Sequence, residues 1–256
     1  MKTFTITIIV PMVAGMLWAS SAPAQITSGE QQCMTGTSKA LAQLVGAREK
    51  CVAKCWSDQR RGRVPASDCT PPYGGATAEC LSGDLRGADQ KAIKQIGKVC
   101  KAGCPACYSG GDCAAEGTSR VTEFTSALDT YFVYLWCDDS GSADGLTAGE
   151  AKCQDAAGKT FAKAMKAMGK CIDRCEQAVF KGMVPAGACA FNLGQNDTEF
   201  SRCTQVAWLK AVVAMNTACP DPAQQPECTP TSPLLFFAAY GPTVLLPNES
   251  AITYCE

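Results

Sequence analysis

Cys33, Cys51, Cys55 and Cys69 recur in the same register as Cys153, Cys171, Cys175 and Cys189, and no other feature of this chain limits its fold so strongly. The surrounding blocks, CMTGTSKALAQLVGAREKCVAKCWSDQRRGRVPASDC and CQDAAGKTFAKAMKAMGKCIDRCEQAVFKGMVPAGAC, align without a gap. They share twelve of 37 positions, including Lys50 with Lys170, Gly62 with Gly182, and Val64-Pro65-Ala66 with Val184-Pro185-Ala186. A spacing of 120 residues is too long for one turn of a solenoid and reads as an internal duplication giving two tandem domains. The first is expected over residues 25–137 and the second over 153–256. The polar, Gly-containing stretch DDSGSADGLTAGEAK, residues 138–152, is expected to link them.

The match continues with small gaps. Cys80 answers Cys203, Cys104-Pro105 answers Cys219-Pro220, Cys113 answers Cys228 and Cys137 answers Cys255, leaving Cys100 and Cys107 as an extra pair.

Hydrophobic periodicity makes the fold class all-α. Phe161, Met165, Met168, Ile172, Cys175 and Val179 recur at steps of three and four, the stripe of an amphipathic helix. Leu41, Val45, Arg48, Val52 and Cys55 keep the same phase with one charged interruption. Cysteines four apart therefore share a face, one turn from each other. From Cys153 to Cys171 is roughly 27 Å of helix, and from Cys203 to Cys219 roughly 24 Å, so two antiparallel helices of matched length bring these cysteines together in pairs.

The hairpin predicts Cys171 with Cys203, Cys153 with Cys219, Cys175 with Cys189 across the Val-Pro loop, and Cys228 with Cys255 by elimination. In the first half it predicts Cys51 with Cys80, Cys55 with Cys69, and Cys113 with Cys137. The Cys-Pro alignment assigns Cys33 to Cys104 and leaves Cys100 for Cys107. The longer return leg, partly loop over LSGDLRGA, would suit Cys100 as the partner of Cys33 instead. A third helix is expected over residues 119–136, with Phe124, Leu128, Tyr131, Phe132 and Leu135 along one side.

The chain opens MKTFTITIIVPMVAGMLWASSAPAQ, a basic start, a short apolar run and an A-x-A site, which predicts a signal peptide over residues 1–24. The run falls short of the ~20 apolar residues needed to span a bilayer, so no membrane span is expected after cleavage. Eighteen cysteines in an exported chain read as a disulfide framework, secreted to the periplasm or beyond the cell. There is no histidine, which disfavours Ser-His-Asp and Cys-His hydrolysis and the usual zinc sites. A net charge of −1 gives no electrostatic case for nucleic acid.

Few residues suggest chemistry. Cys104-Pro105-Ala106-Cys107 has the spacing of a redox dithiol, but it follows a helix, where the dipole raises rather than lowers a thiol pKa. Asp138, Asp139, Asp144 and Glu150 could offer oxygen atoms to calcium but miss the spacing of an EF-hand loop. Met165 and Met168 lie on the apolar stripe and read as core. Asn196 and Asn248 stand in glycosylation sequons. The apolar run from Leu234 to Leu246 is expected to pack on the second hairpin or to face a partner.

The element K-C-x3-C-x6-G-x-V-P-A-x2-C, present at residues 50–69 and 170–189, resembles a loosely defined group of secreted, cysteine-rich helical repeat proteins predicted in environmental bacteria. The resemblance implies a disulfide-stapled helical architecture and carries no activity and no site residues. The expectation is a non-enzymatic structural or binding module without cofactor, whose partner is a protein or an apolar small molecule. A thiol redox protein using Cys104 and Cys107, or a carrier of apolar molecules, are the competing readings.

Overall fold

A computed structural model describes residues 26–84, 86–108, 112–136, 146–185, 188–189 and 199–220. The expected signal peptide, the Asn196 and Asn248 sequons, the run from Leu234 to Leu246 and the Cys228–Cys255 pair lie outside these residues.

The described part is all-helical: α1 (Ser28–Gln59), α2 (Gly75–Ser82), α3 (Ala88–Val99), α4 (Cys113–Leu135), α5 (Ala148–Phe180) and α6 (Glu199–Ala218), with short 3-10 turns at Ala66–Asp68 and Cys100–Ala102. The two long helices start and stop by the same devices. Thr27 caps α1 by accepting from the Glu30 N–H while Glu30 accepts from the Thr27 N–H, and Thr147 and Glu150 do the same for α5. At the other end Gly62 and Gly182 hold φ of 66° and 68°, which L-residues with a Cβ avoid. Bonds from Gly62 N to Gln59 O and from Arg63 N to Asp58 O close a Schellman motif, repeated by Gly182 and Met183. Every one of these features recurs 120 positions later.

Residues 148–152, expected within the linker, are instead the first turn of α5. The signal for this is legible as T-S-G-E at 27–30 and T-A-G-E at 147–150, two capping boxes just outside the aligned blocks.

The disulfides Cys51–Cys80, Cys55–Cys69, Cys171–Cys203, Cys175–Cys189 and Cys153–Cys219 are the pairs that the antiparallel hairpin requires. Three expected pairs do not form. Cys33 is bonded to Cys100, not Cys104; Cys104 is bonded to Cys113, so Cys113 is not paired with Cys137 nor Cys100 with Cys107. Cys107 is disulfide-bonded, and its partner is none of the other described cysteines.

The reason is where helix ends. The return leg breaks between Gly83 and Gly87, then α3 stops at Val99, so Cys100 is the first residue past the helix. Cys219 likewise is the first residue past α6. Helix length therefore makes Cys100 the counterpart of Cys219, and the shared Cys-Pro dipeptide is a misleading marker.

α1 and α5 pack antiparallel. Arg60, just past the end of α1, bonds Gln154 and Asp155 near the start of α5, at 3.1 and 2.7 Å. α3 and α2 cover α1, α4 lies on α3, and α6 lies on α5. Phe124, Leu128, Tyr131, Phe132 and Leu135 of α4 are all buried, on the side expected from their spacing. Tyr131 stacks on Phe161 of α5 with centroids 5.6 Å apart, and Phe132 meets the same ring edge-on at 6.4 Å. At Gly158 of α5 an added Cβ would stand 2.3 Å from the Trp136 ring, so glycine lets the end of α4 reach α5. The buried apolar side chains of both halves form one continuous cluster.

Candidate functional site

Two polar constellations are built on α1, one facing inward and one facing out. Arg48, the charged interruption in the apolar stripe, is buried with its side chain 3% exposed. Its guanidinium donates to both oxygens of Asp89 on α3 at 2.8 Å and to Asp129 on α4 at 2.5 Å. The Tyr73 hydroxyl donates to the same Asp129 oxygen at 3.2 Å, and its ring lies beside the guanidinium. Burial works against the Arg48 charge, but Asp129 and Asp89 outweigh it and raise its pKa. Burial, with Asp129 beside it, also drives the Tyr73 phenol far above its ordinary value, so it stays protonated and keeps donating. The cluster joins α1, α3, α4 and the loop before α2, and its carboxylates are committed to Arg48.

Glu49, the next residue, faces α5 and is 4% exposed. One carboxylate oxygen finds no hydrogen-bond partner among the described residues. Burial raises its pKa from 4.5, against the pull of Lys159 and Lys50. A raised carboxyl pKa means the folded state is penalised once the group ionises. The penalty is absent below the unfolded pKa of 4.5 and complete above the folded value. Glu49→Gln is therefore expected to stabilise the protein near pH 7, with the gain vanishing as pH falls below 4.5. Urea unfolding at the two pH values checks it.

The outward face of α1 forms the floor of a groove of about 860 Å³ bounded by α2, α3 and α5. It follows α1 from Ala40 to Lys54, roughly 21 Å at 1.5 Å per residue. The floor is built of small side chains, Ala40, Ala47, Ala92 and Ala162 among them, with Leu44 and the Cys51–Cys80 bond. Five cations line it: Lys50 and Lys54 from α1, Arg86 from the break in the return leg, Lys91 from α3 and Lys166 from α5. Glu79 is the one carboxylate among the lining residues. Lys54 is held by Asp58 at 2.6 Å, whereas no ion pair involves Lys50, Arg86, Lys91 or Lys166 among the described residues.

Charged and apolar lining are interspersed: Lys50 flanks Cys51 on α1, Glu79 precedes Cys80 on α2, and Lys91 stands next to Ala92 on α3. A strongly cationic groove in a chain of net charge −1 is a local concentration of charge. Sequence reasoning missed it because its cations come from four separate elements. A lysine on a helix face carries no mark of what stands opposite.

The other sequence candidates fall elsewhere. Cys104 and Cys107 do not form a dithiol, since each is bonded to a different cysteine. Glu150 caps α5, and Asp138, Asp139 and Asp144 lie outside the described residues. Met165 and Met168 are core. Among the described residues one trio of possible metal-ligating atoms comes together, the sulfurs of Cys33, Cys100 and Cys113 within 4.8 Å, and all three belong to disulfides. No described helix is long and apolar enough to cross a membrane. No protein-family model, curated protein or solved structure matches the chain.

Proposed function

We propose that this is an exported, non-enzymatic binding module of two duplicated helical hairpins, and that its groove holds an anionic amphiphile. The observation that carries the reading is the cationic groove: an alanine-lined trough on α1 with Lys50, Arg86, Lys91 and Lys166 outside any ion pair among the described residues. An apolar tail would lie against Ala42, Ala47 and Ala162, the half-buried alanines of the lining, and exclude water from them. A carboxylate or phosphate head group would be drawn to these cations, which are solvent-exposed, so the attraction weakens as salt rises. Seven disulfides among the described residues favour an oxidising compartment, and Cys51–Cys80 and Cys33–Cys100 tie α2 and the end of α3 to α1.

The test is a titration with a fluorescent long-chain fatty acid, with the alcohol of the same chain length as control. The acid is expected to bind, and to lose at least about tenfold in affinity in Lys50→Glu/Lys166→Glu, equivalent to about 1.4 kcal/mol. Equal binding of acid and alcohol, or unchanged affinity in the double variant, rejects the reading.

A further inference from the structure

Two disulfides touch. Cys113 Sγ, bonded to Cys104, lies 3.9 Å from Cys33 Sγ, bonded to Cys100. The bonds differ in access: Cys33 and Cys100 are 0% and 4% exposed, while Cys104 and Cys113 are half-buried at the junction of α3 and α4. They differ also in electrostatic setting. Cys113 opens α4 directly after Asp112, whose carboxylate accepts from the Ala115 N–H. A helix N-terminus favours a thiolate, and the thiolate is the form that attacks a disulfide. Cys100, by contrast, follows the end of α3.

We infer that these four cysteines form a thiol–disulfide exchange site, in which an external dithiol acts at the surface bond and Cys113 passes the reduction inward. A thiolate of the dithiol attacks Cys104 Sγ; the Cys104–Cys113 bond breaks, a mixed disulfide forms on Cys104 and Cys113 leaves as thiolate. The second thiolate of the dithiol attacks its own sulfur in the mixed disulfide, departs as a cyclic or intramolecular disulfide and leaves Cys104 as thiolate. Cys113, freed from Cys104, must first swing from beside the Cys33–Cys100 bond, where it lies within 4.8 Å of both sulfurs, into line with it, and then attacks Cys33 Sγ. The Cys33–Cys113 bond forms, the Cys33–Cys100 bond breaks, and Cys100 takes the electron pair and then a proton. The dithiol has lost two electrons, and the protein holds one disulfide and two thiols, at Cys100 and Cys104.

The exchange alters the fold where it matters most to α1. Cys33–Cys100 ties the start of α1 to the end of α3, and its replacement by Cys33–Cys113 moves that tie to α4. The site stands apart from the groove and does not depend on its ligand. It also differs from a Cys-x-x-Cys dithiol, because Cys104 works with Cys113 and not with Cys107.

Cys104→Ser frees the Cys113 thiol in an otherwise oxidised protein. After equilibration, acid quench, unfolding and alkylation, peptide mapping is expected to find Cys33–Cys113 with alkylated Cys100 in at least about one molecule in ten, as for isomers within about 1.4 kcal/mol. Cys113→Ser is expected to keep Cys33–Cys100 intact with its label on Cys104. In the unmodified protein, limited reduction by a dithiol followed by the same quench is expected to label Cys100 together with Cys104. Label confined to Cys104 and Cys113 in that protein, or equal rearrangement in both variants, overturns the proposal.

Discussion

Arg48→Met is expected to cost about 3 kcal/mol of folding stability or more, a large effect for one charge in a helical stripe. The side chain itself is not the issue, since methionine stands at the equivalent turn of α5 as Met168 and is buried there. What the substitution removes is the partner of two carboxylates. Asp89 and Asp129, with side chains 15% and 26% exposed, would be left facing each other without a cation. Tyr73 would keep one hydrogen bond to Asp129 and lose the guanidinium beside its ring. The partial exposure of Asp129 admits water and holds the cost to the lower end of the range for a broken buried pair.

The decisive comparison is Arg48→Met combined with Asp89→Asn and Asp129→Asn. Removing all three charges together is expected to recover most of the loss, because buried ion clusters contribute little beyond an uncharged replacement. Urea unfolding of the two variants reads both values. A single variant within about 0.5 kcal/mol of the parent would show that the cluster carries no stability, as most surface charges do not.

Removing the bond between Cys153 and Cys219 by paired alanine substitution is expected to cost about 3–4 kcal/mol. The bond spans 66 residues, but Cys171–Cys203 lies inside that loop and already shortens it. The free path in the unfolded chain then runs from 153 to 171, across the inner bond, and from 203 to 219. A loop of that size lies between the ~15-residue and ~100-residue cases, and loop entropy changes slowly with length. Both cysteines are also 4–5% exposed, so the alanines leave space in the core at the junction of α5 and α6.

Removing Cys175–Cys189 instead opens a loop of 14 residues and is expected to cost less, about 3 kcal/mol. Thermal unfolding of the two double variants side by side tests the order. The reverse order would show that the Val-Pro loop, and not the helix pair, holds the second hairpin together. For a chain of this size each kcal/mol moves the Tm by roughly 2–4 °C, so the first variant should melt on the order of 10 °C lower.

What could be read in advance follows from the range of each interaction. A helix is local: Phe161, Met165, Met168 and Ile172 mark a buried face by spacing alone, and their burial is what the repeat of 3.6 residues demands. The capping boxes and the two left-handed glycines are local as well, each written within six residues. Helix rise then converts spacing into distance, so matched helices of the second hairpin impose Cys171–Cys203 and Cys153–Cys219 without knowledge of any other element.

The first hairpin lost that simplicity because its return leg is broken between Gly83 and Gly87, and a break of unknown geometry cannot be converted into length. Its partner for Cys33 was decided by where α3 stops. Arg48 signalled a buried charge by its place in an apolar stripe, but Asp89 and Asp129 stand 41 and 81 residues away, beyond any periodic pattern.

The amino-acid sequence by itself thus determined the helices, their caps and the staples whose ends lie on unbroken helices, because those depend on neighbours within a few turns or on a rigid rise. Only the tertiary structure decided that the two halves share one core, that four elements bring their cations to one groove, and that Cys113 rests against Cys33. Each of these is a meeting of surfaces that the chain brings together only after its helices have formed.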